Sequence, residues 1–373
     1  MRASRGAPDP ARAELDAEIL DWMREAEWRE DEGRFERLAL ALFAFQFEHC
    51  AAYRSFCEGR GRAPGRVRSW RDVPPVPSGA FKELALRCFP AERTVVSFRT
   101  SGTATSARGA LHLDTLELYE GSLLPSFRRH LLPDLPAGER VLLLVLAPPP
   151  EEAPDSSLTH MFAVAIRELG APGSAFQVKA GELAADRVLR DLREAEASGT
   201  PVVLCGTAFA FVHLLDELER RGVRAALPSG SRLMETGGFK GRSRELSRAE
   251  LYADLAEALG VPESRMLNQY GMTELGSQFY DSVLLQPGEP RRKLAPPWTR
   301  VAIVDPRNGA GVRVGETGAI VVVDLANTGS VLAIQTADVG RALRDGFEVL
   351  GREPGAEQRG CSIAADELLR ANP

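Results

Sequence analysis

The sequence predicts an α/β protein: mostly parallel sheets with helices around them, joined to a small β-rich subdomain. The prediction rests on three changes of texture along 373 residues. Residues 1–92 carry apolar side chains at helical spacing, broken by turns. Between 93 and 288, short apolar or β-branched runs alternate with amphipathic stretches, which is the rhythm of a largely parallel sheet. From 289 to 350 the β-rich runs follow one another across turns with no helix between them. The last stretch, 351–373, is shorter than the ~50 residues of an independent domain.

Each element follows from local chemistry. Helices are expected over 13–30 and 34–56, the second on the strength of Leu38, Leu40, Leu42, Phe43, Phe45 and Phe47. Val73-Pro74-Pro75-Val76-Pro77 then forces extended backbone and stops any helix. In the α/β region, strands are expected at 95–98, 141–146, 175–178, 202–205, 232–234 and 266–268. Helices are expected at 116–132, 158–169, 184–197, 208–221 and 247–259. The β-rich region contributes 301–304, 318–324 and 331–335, separated by turns such as Asp305-Pro306-Arg307-Asn308-Gly309.

Composition excludes several classes. With 46 Lys+Arg against 52 Asp+Glu and a net charge of −6, a broadly basic nucleic-acid-binding surface is not expected. No run approaches the ~20 apolar residues of a membrane span. The first twelve residues are polar, so no secretory leader is expected and the cytoplasm is the expected compartment. Five scattered cysteines (Cys50, Cys57, Cys88, Cys205 and Cys361) argue against a disulfide framework or a zinc cluster. The only lysines are Lys82, Lys179, Lys240 and Lys293.

Four segments have the chemistry to bind a nucleotide. Thr100-Ser101-Gly102-Thr103 through Arg108-Gly109 follows an expected strand. Its hydroxyls, glycines and backbone N–H groups suit phosphate oxygens, and Arg108 adds positive charge. The same composition also suits a plain surface loop. Tyr270-Gly271-Met272-Thr273-Glu274 ends another expected strand, where open α/β sheets place ligands. A Tyr face stacks on a base, Thr offers a hydroxyl, and Glu is a hard oxygen ligand for Mg²⁺; an ordinary strand-to-helix turn fits as well. Glu235-Thr236-Gly237-Gly238-Phe239-Lys240 allows close backbone approach to a flat ligand. Thr336-Ala337-Asp338 is expected to close the last strand, with a carboxylate placed for two ribose hydroxyls.

Taken together, in this order and spacing, the segments resemble the adenylate-forming superfamily of acyl-CoA ligases, adenylation domains and firefly luciferase. Thr100-Ser101-Gly102-Thr103 matches the start of that superfamily's phosphate loop, T-S-G-T-[ST]-G-x-P-K-G, and Arg108-Gly109 occupy its final Lys-Gly places. Ala104, Thr105 and Ala107 depart from it. Tyr270–Glu274 matches Y-G-x-T-E in full, and Thr336-Ala337-Asp338 is similar to T-G-D with Ala337 in place of the glycine. Gly351-Arg352 and Arg359-Gly360 resemble the hinge that follows. The nearer resemblance, over nearly the whole chain, is to the LuxE-type acyl-protein synthetases. It includes Val76-Pro77-Ser78-Gly79-Ala80-Phe81-Lys82, Glu235 through Gly241, and an end just past Arg359-Gly360-Cys361.

The resemblance implies an adenylate-forming large domain with the C-terminal lysine domain absent or truncated. It also implies ATP and Mg²⁺ as cofactors and a carboxylic acid, foremost a fatty acid, as substrate. It assigns Thr100, Ser101, Gly102, Thr103 and Thr273 to phosphate, and Thr236, Gly237, Gly238, Tyr270 and Gly271 to the adenine pocket. Asp338 goes to ribose, Arg352 to ribose or phosphate, Arg108 to phosphate charge, and Glu274 to Mg²⁺. Cys361 becomes the acyl acceptor, while a buried C-terminal cysteine remains the plainer reading; the other four cysteines are expected in the core. An acyl-accepting reductase or carrier protein is the implied partner. Two alternatives stand beside this: a ligase that passes the acyl group to CoA, a carrier or an amine, and a non-catalytic fold kept for binding.

Overall fold

Aspartates start the first two helices of the computed structural model, which describes residues 9–100, 108–237 and 246–352. Asp9 accepts from the Ala11 N–H at 2.9 Å ahead of α1 (Pro10–Met23), where Pro10 suits a first helical position. Asp31 accepts from the Arg34 N–H at 2.8 Å to open α2 (Glu32–His49). The single helix expected over 34–56 is broken at Cys50, whose backbone is extended, and resumes as α3 (Ala51–Gly59). Arg54 makes the break tolerable by donating to the carbonyls of Phe47 and Glu48, which the end of α2 leaves unpaired. The first helix also stops short of the expected 30, and Trp28 instead sets its ring edge-on to Trp298 at 4.9 Å.

Two units divide the chain, and both are discontinuous. The first takes the described residues up to Pro125, the segment Met272–Gln278, and those from Lys293 onward; the second takes Ser126–Gly271 and Phe279–Arg292. In the first unit β1 (Val76–Pro77) runs into a tight 3-10 turn, Ser78–Lys82. A hairpin of β2 (Val96–Arg99) and β3 (Ala110–Leu113) follows, Arg99 opposite Ala110. The sequence does not reveal β3, since four residues are too few to show a period. Helix α4 (Glu117–Leu131) then carries the chain into the second unit.

That unit is the open sheet the alternation predicts. Its elements are β4 (Leu142–Leu146), α5 (Ser157–Leu169), β5 (Ala175–Phe176), a small hairpin of β6 (Val178–Lys179) and β7 (Glu182–Leu183), α6 (Ala185–Ser198), β8 (Val202–Thr207), α7 (Ala208–Arg220), β9 (Arg232–Thr236), α8 (Arg248–Leu259), β10 (Met266–Tyr270) and β11 (Phe279–Asp281). Strand order is β5-β4-β8-β9-β10-β11, parallel except for the last pair. Strands β4 and β8 are apolar runs largely buried in the sheet, whereas β9 and β10 bury polar residues as well, among them Glu235, Asn268 and Gln269. Leu204, Phe211, Leu214 and Leu255 belong to the core that α6, α7 and α8 close over the sheet. Caps mark the helix ends: Ser247 and Glu250 form a capping box, and Gly199 and Gly260 stop α6 and α8 in the left-handed conformation.

Back in the first unit, β12 (Lys293–Leu294), β13 (Thr299–Val304), β14 (Thr317–Asp324), β15 (Ala333–Leu343) and β16 (Gly346–Arg352) build an antiparallel sheet ordered β13-β14-β15-β16-β12. The early part of β15 is flanked by β14 and, in parallel, by β1; its later part pairs with β16. Gln46 ties α2 to this region through its side chain, which donates to the Asn327 carbonyl at 2.8 Å and accepts from the Leu332 N–H at 2.9 Å. No helix among the described residues is long and apolar enough to cross a membrane.

Candidate active site

In the first unit the site is organised around residues 272–278, a stretch without strand or helix that other groups hold in place. Ser277 donates to Asp324 at 2.7 Å, Ser122 donates to Ser277 at 2.8 Å, and Trp298 Nε1 donates to Ser122 at 2.9 Å. Asn327 Nδ2 donates to the Glu274 carbonyl at 2.8 Å. Gly276 has to be glycine, because a Cβ there would lie 2.8 Å from the Ala326 Cβ and 3.1 Å from its backbone carbon. Asp324 is fully buried, and burial pushes its carboxyl up to about 6 despite the hydrogen bonds from Ser277 and Ala326.

The stretch presents Glu274, whose side chain is buried. Burial drives its carboxyl up to about 7; its own N–H and the charges of Arg352 and Lys82 pull the other way, while Asp338 adds to the rise. Asp338 and Arg352 face each other across β15 and β16, with Arg352 Nε 3.5 Å from Asp338 Oδ1. Asp338 therefore does not close a strand, as the sequence predicts, but stands within β15. The strand continues because its outer residues find partners in β16, across a register shift at Val339–Gly340 that no local pattern shows.

Lys82, at the end of the turn after β1, is the residue sequence reasoning passes over. Its only signal is scarcity, one lysine of four, within the run Val76–Lys82. The backbone and Cβ of Phe81, next to it, pack on the neck of the 100–109 loop: a Cβ at Gly109 would meet them at 3.4 Å and the Thr100 methyl at 3.3 Å. At that neck Thr100 N–H donates to the Gly109 carbonyl and Gly109 N–H to Thr100 Oγ1, both at 2.9 Å. Arg108 folds back on the neck, donating to the Thr100 carbonyl at 2.6 Å and the Arg99 carbonyl at 3.3 Å. Ser101, Gly102 and Thr103 lie outside the described residues, as do Gly238 and Cys361.

In the second unit, Thr236 and Tyr270 end the adjacent parallel strands β9 and β10, the edge where such sheets take ligands. Thr236 Oγ1 donates to the Gln269 carbonyl at 3.1 Å and also bonds the Gln269 side chain. Gly237, with φ of +73°, turns the chain as other residues rarely do. The Tyr270 ring lies 6.2 Å from that of Phe279 on β11. Beneath these ends, Glu235 accepts from Asn268 at 2.7 Å and Tyr252 at 3.2 Å, and Asp281 accepts from the Asn268 N–H and from Arg291. After Tyr270 no helix follows: Gly271 leads out of this unit and Met272–Gln278 belongs to the other, so the strand-to-helix alternative does not describe the run to Glu274.

The fold is that of the adenylate-forming acid ligases. Over 94 % of this chain and 81 % of the other, it is similar to a 2-hydroxyisobutyryl-CoA ligase in an open conformation with 2-HIB-AMP and CoA, at a TM-score of 0.61 and 16 % identity. With the same ligase in its postadenylation state with R3-HIB-AMP, the score is 0.62 at 15 % identity, covering 94 % of this chain and 73 % of that one. The family model described as acyl-protein synthetase, LuxE, matches residues 10–370, and the chain belongs to that family. A curated relative, the long-chain-fatty-acid–luciferin-component ligase of Aliivibrio fischeri, is 22 % identical over 97 % of this chain and 96 % of its own length. The protein is thus a ligase of the acyl-protein synthetase type, which activates an acid by adenylation and transfers the acyl group.

Proposed function

We propose that this enzyme uses ATP and Mg²⁺ to turn a fatty acid into its acyl-adenylate and then takes the acyl group onto Cys361 as a thioester. The observation that carries the residue assignment is the buried carboxyl of Glu274 set among Lys82, Arg352 and Asp338. In the first step a carboxylate oxygen attacks the α-phosphorus, and the bond to pyrophosphate breaks. No protein nucleophile is needed, only orientation of two anions and neutralisation of charge on phosphate. Lys82 and the 100–109 loop supply positive charge and donors, with Thr273 adding a hydroxyl. Asp338 accepts from ribose hydroxyls beside Arg352, and Tyr270, Thr236 and Gly237 border the base. In the second step the Cys361 thiolate attacks the acyl carbon and AMP departs; thiolate is the strongest nucleophile a side chain offers near neutral pH.

Glu274 is the residue that would hold Mg²⁺. The donor fits: a carboxylate is a hard oxygen ligand, and Mg²⁺ commonly takes one or two carboxylates together with substrate phosphates. When bound, the ion supplies charge neutralisation at the phosphates. The acceptor in this reading is an acyl-accepting protein such as a reductase or a carrier protein, and the relative's name, a luciferin-component ligase, supports a protein acceptor.

The test is acid-dependent ATP–pyrophosphate exchange by the purified chain across fatty acids of varied length. Exchange is expected with the wild type, and Glu274→Gln is expected to lower it about 10²-fold or more. No exchange with any acid would overturn the reading; unchanged exchange in the variant would remove Glu274 from it.

A further inference from the structure

We propose that residues 60–71 form a basic loop that docks a protein presenting a carboxylate-rich surface. The loop stands on its own observations; the choice of a protein as its partner rests on the function proposed above. Five of these twelve residues are arginine (Arg60, Arg62, Arg66, Arg68 and Arg71), and none is Asp, Glu or Lys. All five are exposed, on the first unit. They stand out against a chain whose net charge is −6.

Buried anchors hold the backbone while the arginines face out. After α3 the chain folds back on itself, with the Arg66 and Val67 N–H groups donating to the Ala63 carbonyl at 2.9 and 3.2 Å. Val67 and Trp70 are 4 % and 5 % exposed. Trp70 donates from Nε1 to Glu32 at 2.9 Å and from its N–H to Glu36 at 3.0 Å, its ring edge-on to Phe35 at 5.8 Å. Arg62 Nη1 lies 3.8 Å from Asp72 Oδ1, which brings the two ends of the stretch together. A stretch closed in this way is an Ω-loop, so its arginines share one compact patch. Arg60 stacks on Phe56 at 3.8 Å and Arg71 on Trp70 at 4.2 Å, with Arg71 also 3.2 Å from Glu32. Arg66 and Arg68, on either side of buried Val67, have no ion-pair partner among the described residues.

The chemistry selects the partner. The planar fork of arginine matches a carboxylate with two parallel hydrogen bonds, and side chains already stacked lose little freedom on binding. One exposed ion pair contributes little, so a cluster of this kind acts by adding its charges into a field that speeds encounter and fixes orientation. Nucleic acids and anionic membranes spread negative charge far beyond one loop, and the rest of this chain, being net acidic, opposes that spread. A folded protein can offer carboxylates over an area no larger than the loop. It also has to come to this enzyme's surface to receive an acyl group.

The test titrates the full-length chain, at low and at physiological salt, with an oligoglutamate peptide, a single-stranded DNA of equal charge and vesicles containing phosphatidylglycerol. The peptide should bind most tightly of the three and more weakly as salt rises. Arg66→Glu with Arg68→Glu should weaken peptide binding about tenfold or more, with melting temperature and pyrophosphate exchange unchanged. Arg193→Glu with Arg224→Glu, the same charge change on exposed residues of the second unit, should leave peptide binding as in the wild type. No binding of the peptide, or an equal loss in the two double variants, would overturn the docking loop. Tighter binding of DNA or vesicles than of peptide would overturn the protein partner, and lost exchange in a normally melting Arg66/Arg68 variant would move these arginines to adenylation instead. Absence of exchange in the wild type would fail the function above and leave peptide binding as an independent readout of the loop.

Discussion

A carboxyl kept from water resists ionising, and at Glu274 the two nearby cations offset this only in part, so it titrates near 7. If the ionised form does the work, exchange and Mg²⁺ affinity should rise with pH. Between about pH 6 and pH 8 the ionised fraction climbs roughly tenfold, and the Mg²⁺ concentration for half-maximal exchange should fall by about that factor. Stability runs the other way. In the unfolded chain Glu274 loses its proton near 4.5 and in the folded one near 7, so folding grows less favourable as pH rises through that window. Glu274→Gln should therefore melt higher than wild type at about pH 8, by about 2 kcal/mol, with the difference vanishing near pH 4. Thermal melts at the two pH values check this. Lys82→Met should raise the KM for ATP and lower exchange about tenfold or more while leaving the circular dichroism spectrum unchanged. Cys361→Ser should keep exchange but lose covalent labelling by radioactive acid.

At the scale of elements, a segment with neither strand nor helix depends on what pins it. Residues 272–278 are pinned by Asn327, by the Ser122–Ser277–Asp324 chain and by contact between Gly276 and Ala326. Gly276→Ala should cost about 1–3 kcal/mol and displace Glu274, because the added methyl meets the Ala326 Cβ and backbone carbon and crowds Asn327 Oδ1, on the side chain that holds the Glu274 carbonyl. Denaturant titration measures the first effect, and the loss of exchange reports the second. The strand β15 works in the same cooperative way, since its register with β16 sets Asp338 opposite Arg352. The local pattern of Thr336 to Leu343 mixes small, charged and apolar residues, so its length was not legible from sequence alone.

For the whole molecule, discontinuity has a testable consequence. The first unit needs chain from both ends: Gln46 bonds Asn327 and Leu332, Arg12 bonds Thr328 at 3.3 Å, and Arg300 bonds Glu32 at 3.0 Å. A chain stopped at Arg292 would leave the apolar faces of α1, α2 and α3 without the sheet β13–β16. Limited proteolysis of that fragment should cut the first hundred residues readily, while the full chain resists there. The second unit draws its core from its own segments, and Leu204→Ala within it should cost about 2–5 kcal/mol in thermal or urea unfolding.

The linear order of residues determined the alternation of strands and helices and the family, and it singled out the candidate nucleotide-binding segments, because periodicity, caps and short motifs are local properties. Tertiary structure alone decided that Lys82 belongs with Glu274, that the helix over 34–56 breaks at Cys50, and that Asp338 stands inside a strand. Each of those outcomes depends on partners tens to hundreds of residues away. A side chain's charge state or a strand's length is set by what folds against it, which the spacing of its neighbours along the chain does not record.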